Sequence, residues 1–357
     1  MLDQSTSDRA PRLASLATAT PSITLTQAEV TARAAEHFAK TPAAFEWIAP
    51  IYRNAEIDTR HSCVPTEWYL SDHSFRERND LFLEHAVDLL AQAAQRALDE
   101  AGLDAADIDA IVAVSTTGIA TPSLDARLMT RMGFRRNVER LPVFGLGCAG
   151  GVLGLSRAAA MAIARPTSRV LLLVVELCGL TFRNQDRSKS NLVATALFGD
   201  GAAAAVISCR PEYAASPRLG PWGEHTWPDS LDVMGWDVAD DGLKVLFSRD
   251  IPALVREDLR PVVDAFLADN GATLSDIAGF VCHPGGAKVI DALEDCFELQ
   301  RGDLTLARQV LREHGNMSAA TVLFVLRAAL DAGVVGPQLM TTLGPGFTAG
   351  MLVVQAA

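Results

Sequence analysis

The sequence predicts an α/β protein built from two copies of one unit, and three observations carry that reading. Short, continuously apolar runs such as Ala110–Val114 and "VLLLVV" (170–175) alternate with helix-like segments, the pattern of strands buried on both faces. "ALDEAGLDAADIDAIVAVSTTG" (97–118) and "FLADNGATLSDIAGFVCHPGG" (266–286) then share one plan. Each has a helix end, a glycine, a leucine, an Asp-Ile pair, an apolar strand and a loop of small residues. Finally, "FGLGCAGGVLGLSRAAAMA" and "HGNMSAATVLFVLRAALDAG" each set a glycine-flanked thiol or polar residue before an apolar helix. An internal duplication explains all three. It divides the chain into an N-terminal half over 12–209 and a C-terminal half over 210–357. The proline- and tryptophan-rich stretch 210–230 forms the junction.

In chain order, the first residues read as a flexible tail without an apolar signal segment. "TQAEVTARAAEHFAK" (26–40) reads as a helix, with Thr26 and Glu29 spaced as a capping box. A stronger helix runs over 82–102, with Val87, Leu90, Ala94, Ala97 and Leu98 on one face and Gly102 at its stop. The strand 110–114 follows. "LPVF" is another strand, which delivers the chain to Gly145–Gly147, and a helix begins near Ala149.

The chain has 357 residues, 49% of them hydrophobic, and a formal charge of -12. That charge argues against a nucleic-acid partner. "GFRRNVER" (133–140), the densest basic cluster, reads as solvated surface, with contact to an anionic cofactor as the alternative. The longest apolar run is broken by Glu176 and is far too short to span a bilayer, so no integral membrane segment is expected. Cys63, Cys148, Cys178, Cys209, Cys282 and Cys296 form no CxxC pair. That argues against a zinc site or disulfide framework and fits a reduced, cytoplasmic setting.

Cys148 sits where a strand turns into a helix, and unpaired N–H groups there favour the thiolate. Small neighbours admit a substrate carbonyl and a tight turn, as in a nucleophile elbow. From this turn alone, a nucleophile and a packed core cysteine fit equally well. His283 stands at a strand exit before Pro-Gly-Gly, where α/β sites form. His314 is a rival base. Asn316 alone reads as an ordinary N-cap. His37, His61, His73, His85 and His225 read as surface.

Taken in order, Cys148 in "GLGCAGG", "ALFGDGAAAAVI" (196–207), His283 in "CHPGG", Asn316 in "GNMSAA" and "LGPGF" (343–347) resemble the type III polyketide synthases. These form the chalcone synthase-like branch of the thiolase superfamily, and the resemblance runs from about residue 12 to the end. It implies a five-layered αβαβα fold, a homodimer and an acyltransferase that consumes CoA thioesters without metal or redox cofactor. It implies that Cys148 carries the acyl group of a starter acyl-CoA and that His283 keeps the sulfur ionised. His283 and Asn316 then hold the enolate from malonyl-CoA for Claisen condensation.

Position by position, the resemblance puts Thr116, Thr117, Thr121, Cys178, Thr181, Phe198, Trp236, Val245 and Ser318 around the substrate. Cys178, where plant relatives have threonine, opens an acyl tunnel or is simply a core cysteine; the tunnel reading selects fatty starters. Trp236, in place of glycine, favours alkylpyrones over alkylresorcinols. The basic CoA-binding helix of plant relatives is not reproduced; only Arg53 and Arg60 offer charge there. The nearest rival is a 3-oxoacyl-(acyl-carrier-protein) synthase III-like enzyme that condenses once. A non-catalytic acyl-CoA binder and a thioesterase are further rivals.

Overall fold

The computed structural model describes residues 10–39, 41–248 and 250–356. The segment 1–9, expected as a tail, lies outside the described residues. The strands are β1 (Arg12–Ala19), β2 (Ile23–Thr26), β3 (Thr59–Ser62), β4 (Ala110–Val114), β5 (Glu139–Val143), β6 (Arg169–Leu177), β7 (Asp200–Ser208), β8 (Arg218–Thr226), β9 (Met234–Ala239), β10 (Gly242–Phe247), β11 (Gly279–Cys282), β12 (Gly336–Gly344) and β13 (Thr348–Ala356). The helices are α1 (Gln27–Phe38), α2 (Pro42–Arg53), α3 (Phe75–Ala101), α4 (Leu124–Met132), α5 (Gly150–Ala164), α6 (Lys189–Leu197), α7 (Ile251–Leu254), α8 (Arg260–Asp269), α9 (Ala287–Cys296), α10 (Thr305–His314) and α11 (Thr321–Asp331).

The principal sheet runs β11-β12-β13-β8-β1-β7-β6-β4-β5. Its two parts are joined at the pair Arg12↔Arg218, between β1 and β8, flanked by hydrogen bonds from Leu13 N to Pro217 O and from Leu219 N to Pro11 O. On one side, β4 is parallel to β6, β6 antiparallel to β7, and β7 antiparallel to β1. On the other, β11 is parallel to β12, β12 antiparallel to β13, and β13 antiparallel to β8. The same three relations occur twice, as the duplicated sequence requires. The stretch 210–230 contains β8, the strand that pairs with β1 where the two parts meet.

Local signals repeat with the topology. A single 3-10 turn with a capping box precedes both β4 (Ala105–Asp107) and β11 (Leu274–Asp276). Another precedes both apolar helices: Gly147–Ala149 before α5 and Ser318–Ala320 before α11. Thr26 caps α1 with Glu29, as its spacing predicts. Gly102 ends α3 in the left-handed conformation. That helix starts at Phe75, a full two turns before the predicted start, because Ser74 and Glu77 form a capping box that the periodicity reading passed over.

Alternate residues along the strands face different layers. Ile111, Ala113, Leu171 and Leu173 pack with Phe82, Ala86 and Leu90 of α3. Val112, Val114, Leu172 and Val174 join α5 and α11 in the larger core. Each such fully buried aliphatic side chain stabilises the fold by about 1.5–3 kcal/mol. Gly147–Ala164 is long and apolar enough to cross a membrane, yet 72% of it is buried in this core.

Candidate active site

Cys148 lies in the 3-10 turn between β5 and α5, at the start of that helix, and is nearly inaccessible. Gly147 donates its N–H to Thr116 Oγ1 at 3.0 Å. Its φ is +46°, and a Cβ there would lie 2.4 Å from Pro345 Cδ in the "LGPGF" loop. A Cβ on Gly151 would lie 2.3 Å from the carbonyl oxygen of Ala319. The sequence assigns these small residues to substrate access and to a tight turn, and the positive φ of Gly147 is such a turn. The structure gives at least these two to close packing, of the Pro345 loop and of the 318–320 turn, onto the nucleophile turn.

His283 follows β11, and its N–H donates to the carbonyl oxygen of Thr341 at 2.9 Å. Neither ring nitrogen has a hydrogen-bond partner, though both are buried. Burial pulls the imidazole down to about 4. Asn316 is fixed from four directions. Its N–H donates to Leu197 O at 2.7 Å, and its carbonyl accepts from Gly199 N at 3.0 Å. Its Oδ1 accepts from Ser318 N at 2.8 Å, while Nδ2 donates to Gly285 O at 3.2 Å. One amide hydrogen is left free. Cys148, His283 and Asn316 line one cavity of about 510 Å³. His314, the rival base, stacks on His61 at 5.4 Å and faces a different cleft.

Glu176 is the site residue that sequence reasoning missed; it was read only as a break in an apolar run. It is fully buried in β6. Its carboxylate accepts from Thr116 N at 2.9 Å, Thr117 Oγ1 at 2.8 Å, and the hydroxyls of Ser115 and Ser318 at 3.4 Å each. Desolvation lifts it to about 7 against those hydrogen bonds. The available signal was a lone carboxylate inside a strand buried on both faces, which must be heavily hydrogen-bonded.

Cys148 Sγ lies 3.6 Å from Ser318 Oγ. Burial pushes the thiol up to about 12, and the nearby Glu176 adds to the rise. The standing thiolate–imidazolium pair inferred from sequence is thus opposed by desolvation on both partners.

Cys178, Thr181, Phe198 and Val245 line a second, apolar pocket of about 100 Å³. Trp236 packs edge-on against Phe198 at 6.4 Å and pairs with Val245 across the β9–β10 hairpin. Thr116, Thr117 and Ser318, expected around the substrate, line neither cavity; they bond Glu176 and, through Thr116, the Gly147 N–H. Further expectations need correction. Thr121 is exposed and lines neither pocket in its own chain. Arg60 is no phosphate ligand: its guanidinium is buried, bonded to Gln27 and to the carbonyls of Thr195, Ala196 and Phe198. It ties down the end of α6, next to the bridge between Phe198 and Asn316. Arg53 is exposed beside Asn54, a cavity residue. His37 and His61, expected on the surface, line the apolar pocket. In the basic cluster, Arg135 and Arg140 pair with Asp109 and Asp125.

A buried thiol at a helix start, an imidazole with free ring nitrogens and an amide with a free N–H can hold an acyl thioester beside an enolate. Such a set of groups suits a thiolase-fold condensing enzyme. The chain matches "Chalcone and stilbene synthases, N-terminal domain" over residues 9–211 and the corresponding C-terminal domain over 224–356. It is 39% identical over 356 residues to a 1,3,6,8-tetrahydroxynaphthalene synthase of Streptomyces peucetius subsp. caesius, covering 98% of this chain and 94% of that one. It is likewise 39% identical over 316 residues to a "putative chalcone synthase" of Bacillus subtilis (strain 168), covering 85% and 87%. The crystal structure of 1,3,6,8-tetrahydroxynaphthalene synthase from Streptomyces coelicolor A3(2), a bacterial type III polyketide synthase, superposes with a TM-score of 0.91. Sequence identity is 32%, and coverage is 97% of this chain and 100% of that one. The chain belongs to the chalcone and stilbene synthase family and is a type III polyketide synthase, a condensing acyltransferase acting on CoA thioesters.

Proposed function

We propose that this enzyme extends a medium- or long-chain fatty acyl-CoA with malonyl-CoA and releases alkylpyrones, with alkylresorcinols as the other ring outcome. The observation that carries the starter choice is the apolar pocket directly behind Cys178. It includes Leu70, which is 42% exposed, so it reaches the surface. Its volume is smaller than the roughly 150 Å³ cavity that takes a benzene ring, so it holds the first few methylenes and longer chains emerge. Each methylene buried there adds about 0.8 kcal/mol in favour of a longer starter.

In this reading His283 takes the Cys148 proton, and the thiolate attacks the starter thioester, expelling CoA. Malonyl-CoA loses CO₂, and the electron pair of the broken C–C bond becomes an enolate. The free N–H of Asn316 and a ring N–H of His283 hold its oxygen, at about 3 kcal/mol for each such donor. The enolate carbon attacks the Cys148 thioester, the C–S bond breaks and the thiolate returns. The extended chain remains on CoA for reloading. No metal or redox step enters this balance.

A second reading is a polyhydroxyaromatic product, supported by the tetrahydroxynaphthalene synthases among the relatives and by the modest pocket behind Cys178. Incubation with malonyl-CoA and starters from acetyl- to stearoyl-CoA, read by mass spectrometry, separates the two. Alkylpyrones from long starters support the first. Refusal of long starters, with the aromatic product from malonyl-CoA alone, supports the second.

We also read the enzyme as a cytoplasmic homodimer of chains whose halves are 12–209 and 210–357. All six cysteines are free and buried, as a reduced compartment allows. β5 is the outer strand of the sheet, and it carries exposed Leu141 and leads to Phe144, which is 59% exposed. Exposed Ile119 and Thr121 lie in the loop after the neighbouring strand β4, on the same border. An uncovered apolar edge of this kind is closed by a second copy. Phe144→Asp should yield monomers in light scattering; a wild-type monomer would end this reading.

A further inference from the structure

The cavity that holds Cys148 is lined by no carboxylate among the described residues, although the chain has 43 Asp and Glu. Besides His283, its ionisable cations are two lysines, Lys189 and Lys288. Both are exposed, at the starts of α6 and α9. Neither makes an ion pair or hydrogen bond to another described residue, whereas most arginines that reach the surface are paired to acids. They stand on two separate helices that border one opening, and no anion among the described residues pairs with them. An unpaired pair of ammonium groups in a cavity free of acid, on a protein of charge -12, is a site for an anionic ligand.

We propose that Lys189 and Lys288 clamp the phosphate end of the phosphopantetheine thioester whose acyl end reaches Cys148. The clamp takes the place that Arg60, buried under α6, cannot fill. This rests on the polyketide synthase reading of the site. The ligand chemistry is a phosphate ester on a pantetheine arm, supplied either by free CoA or by a carrier protein. Lysine suits it as a mobile point charge on a flexible stem, reaching phosphates that enter and leave with every extension cycle.

The first measurement is calorimetric binding of CoA and of phosphate-free pantetheine to the Cys148→Ala protein, with and without Lys189→Ala/Lys288→Ala. It needs no turnover, so it stands even if the condensation reading fails. The double variant should weaken CoA at least tenfold and leave pantetheine unchanged. The second is steady-state kinetics with malonyl-CoA, malonyl-dephospho-CoA, malonyl carrier protein and the N-acetylcysteamine thioester. KM should rise at least tenfold for phosphate-bearing donors at near-constant kcat, with no change for the N-acetylcysteamine donor. Lys→Arg at both positions should restore most of the loss. A rise confined to CoA donors identifies free CoA as the source; a rise confined to the carrier protein identifies the carrier. Equal losses with the phosphate-free donor, or unchanged affinity for CoA and carrier alike, would overturn the clamp.

Discussion

Cys148 and Glu176 are joined through a single hydroxyl: Ser318 Oγ stands 3.6 Å from the sulfur and 3.4 Å from Glu176 Oε1. Ser318 holds that position with φ at +47°, its N–H bonded to Asn316 Oδ1. The carboxylate therefore has a hydrogen-bonded path to the thioester, and with a pKa raised to about 7 it takes up protons near neutrality. We expect water-dependent release of the acyl chain to increase as pH rises through 7. Glu176→Gln and Ser318→Ala should remove that step while leaving Cys148 acylation within about threefold. Product ratios by mass spectrometry from pH 6 to 8.5 check it; an unchanged step in both variants contradicts the relay.

The same carboxylate sets a stability trend. Its folded pKa lies above the ordinary value, so the folded state binds the proton more tightly and loses stability as pH rises from about 4.5 to 7. His283 and His314, both pulled down to about 4, act the other way and add stability as pH rises from about 4 to 6.5. In the wild type these trends oppose each other. Glu176→Gln leaves the histidine trend alone, so its Tm should climb more steeply between pH 4.5 and 6.5 than that of the wild type. Parallel curves in calorimetry would contradict the assignment.

Removing the imidazole should leave Cys148 to desolvation. His283→Ala is expected to slow iodoacetamide alkylation of Cys148 at pH 7 by at least tenfold, with recovery only at strongly alkaline pH. One pKa unit corresponds to about 1.4 kcal/mol, which sets that minimum. Peptide mapping of the alkylated cysteine measures it directly. An unchanged rate would mean that the thiolate is held by the helix start alone.

Filling the apolar pocket should change the starter. Cys178→Phe places a ring in a space of about 100 Å³. We expect kcat/KM for lauroyl-CoA to fall at least tenfold relative to acetyl-CoA, since several buried methylenes at about 0.8 kcal/mol each are lost. Equal losses for both starters would place the acyl chain elsewhere.

The fold was legible because its signals are local and repeated. The capping box at Thr26, the stop at Gly102 and the strand at 110–114 each follow from a few adjacent residues. Cys148, His283 and Asn316 were legible as strand and helix ends. Residues whose partners are distant in the chain were not. Arg60 looked like a surface cation because the carbonyls that bury it lie 135 to 138 residues away. Glu176 looked like an interruption because Thr117 and Ser318 come from other strands and turns. Thr121 belonged to the pocket by analogy, yet one chain places it on the outside. The crowded contact of Gly151 with Ala319 joins the two halves and has no local signature.

In the proposed cycle Cys148 carries the chain through repeated extension. Intact-protein mass spectrometry after brief mixing with lauroyl-CoA, then malonyl-CoA, tests it most directly. The expected result is a lauroyl adduct mapped to Cys148, followed by released products containing at least two malonyl-derived units per starter without any carrier protein. Cys148→Ala should show neither. An adduct at another residue, or a single condensation that requires carrier protein, would contradict it.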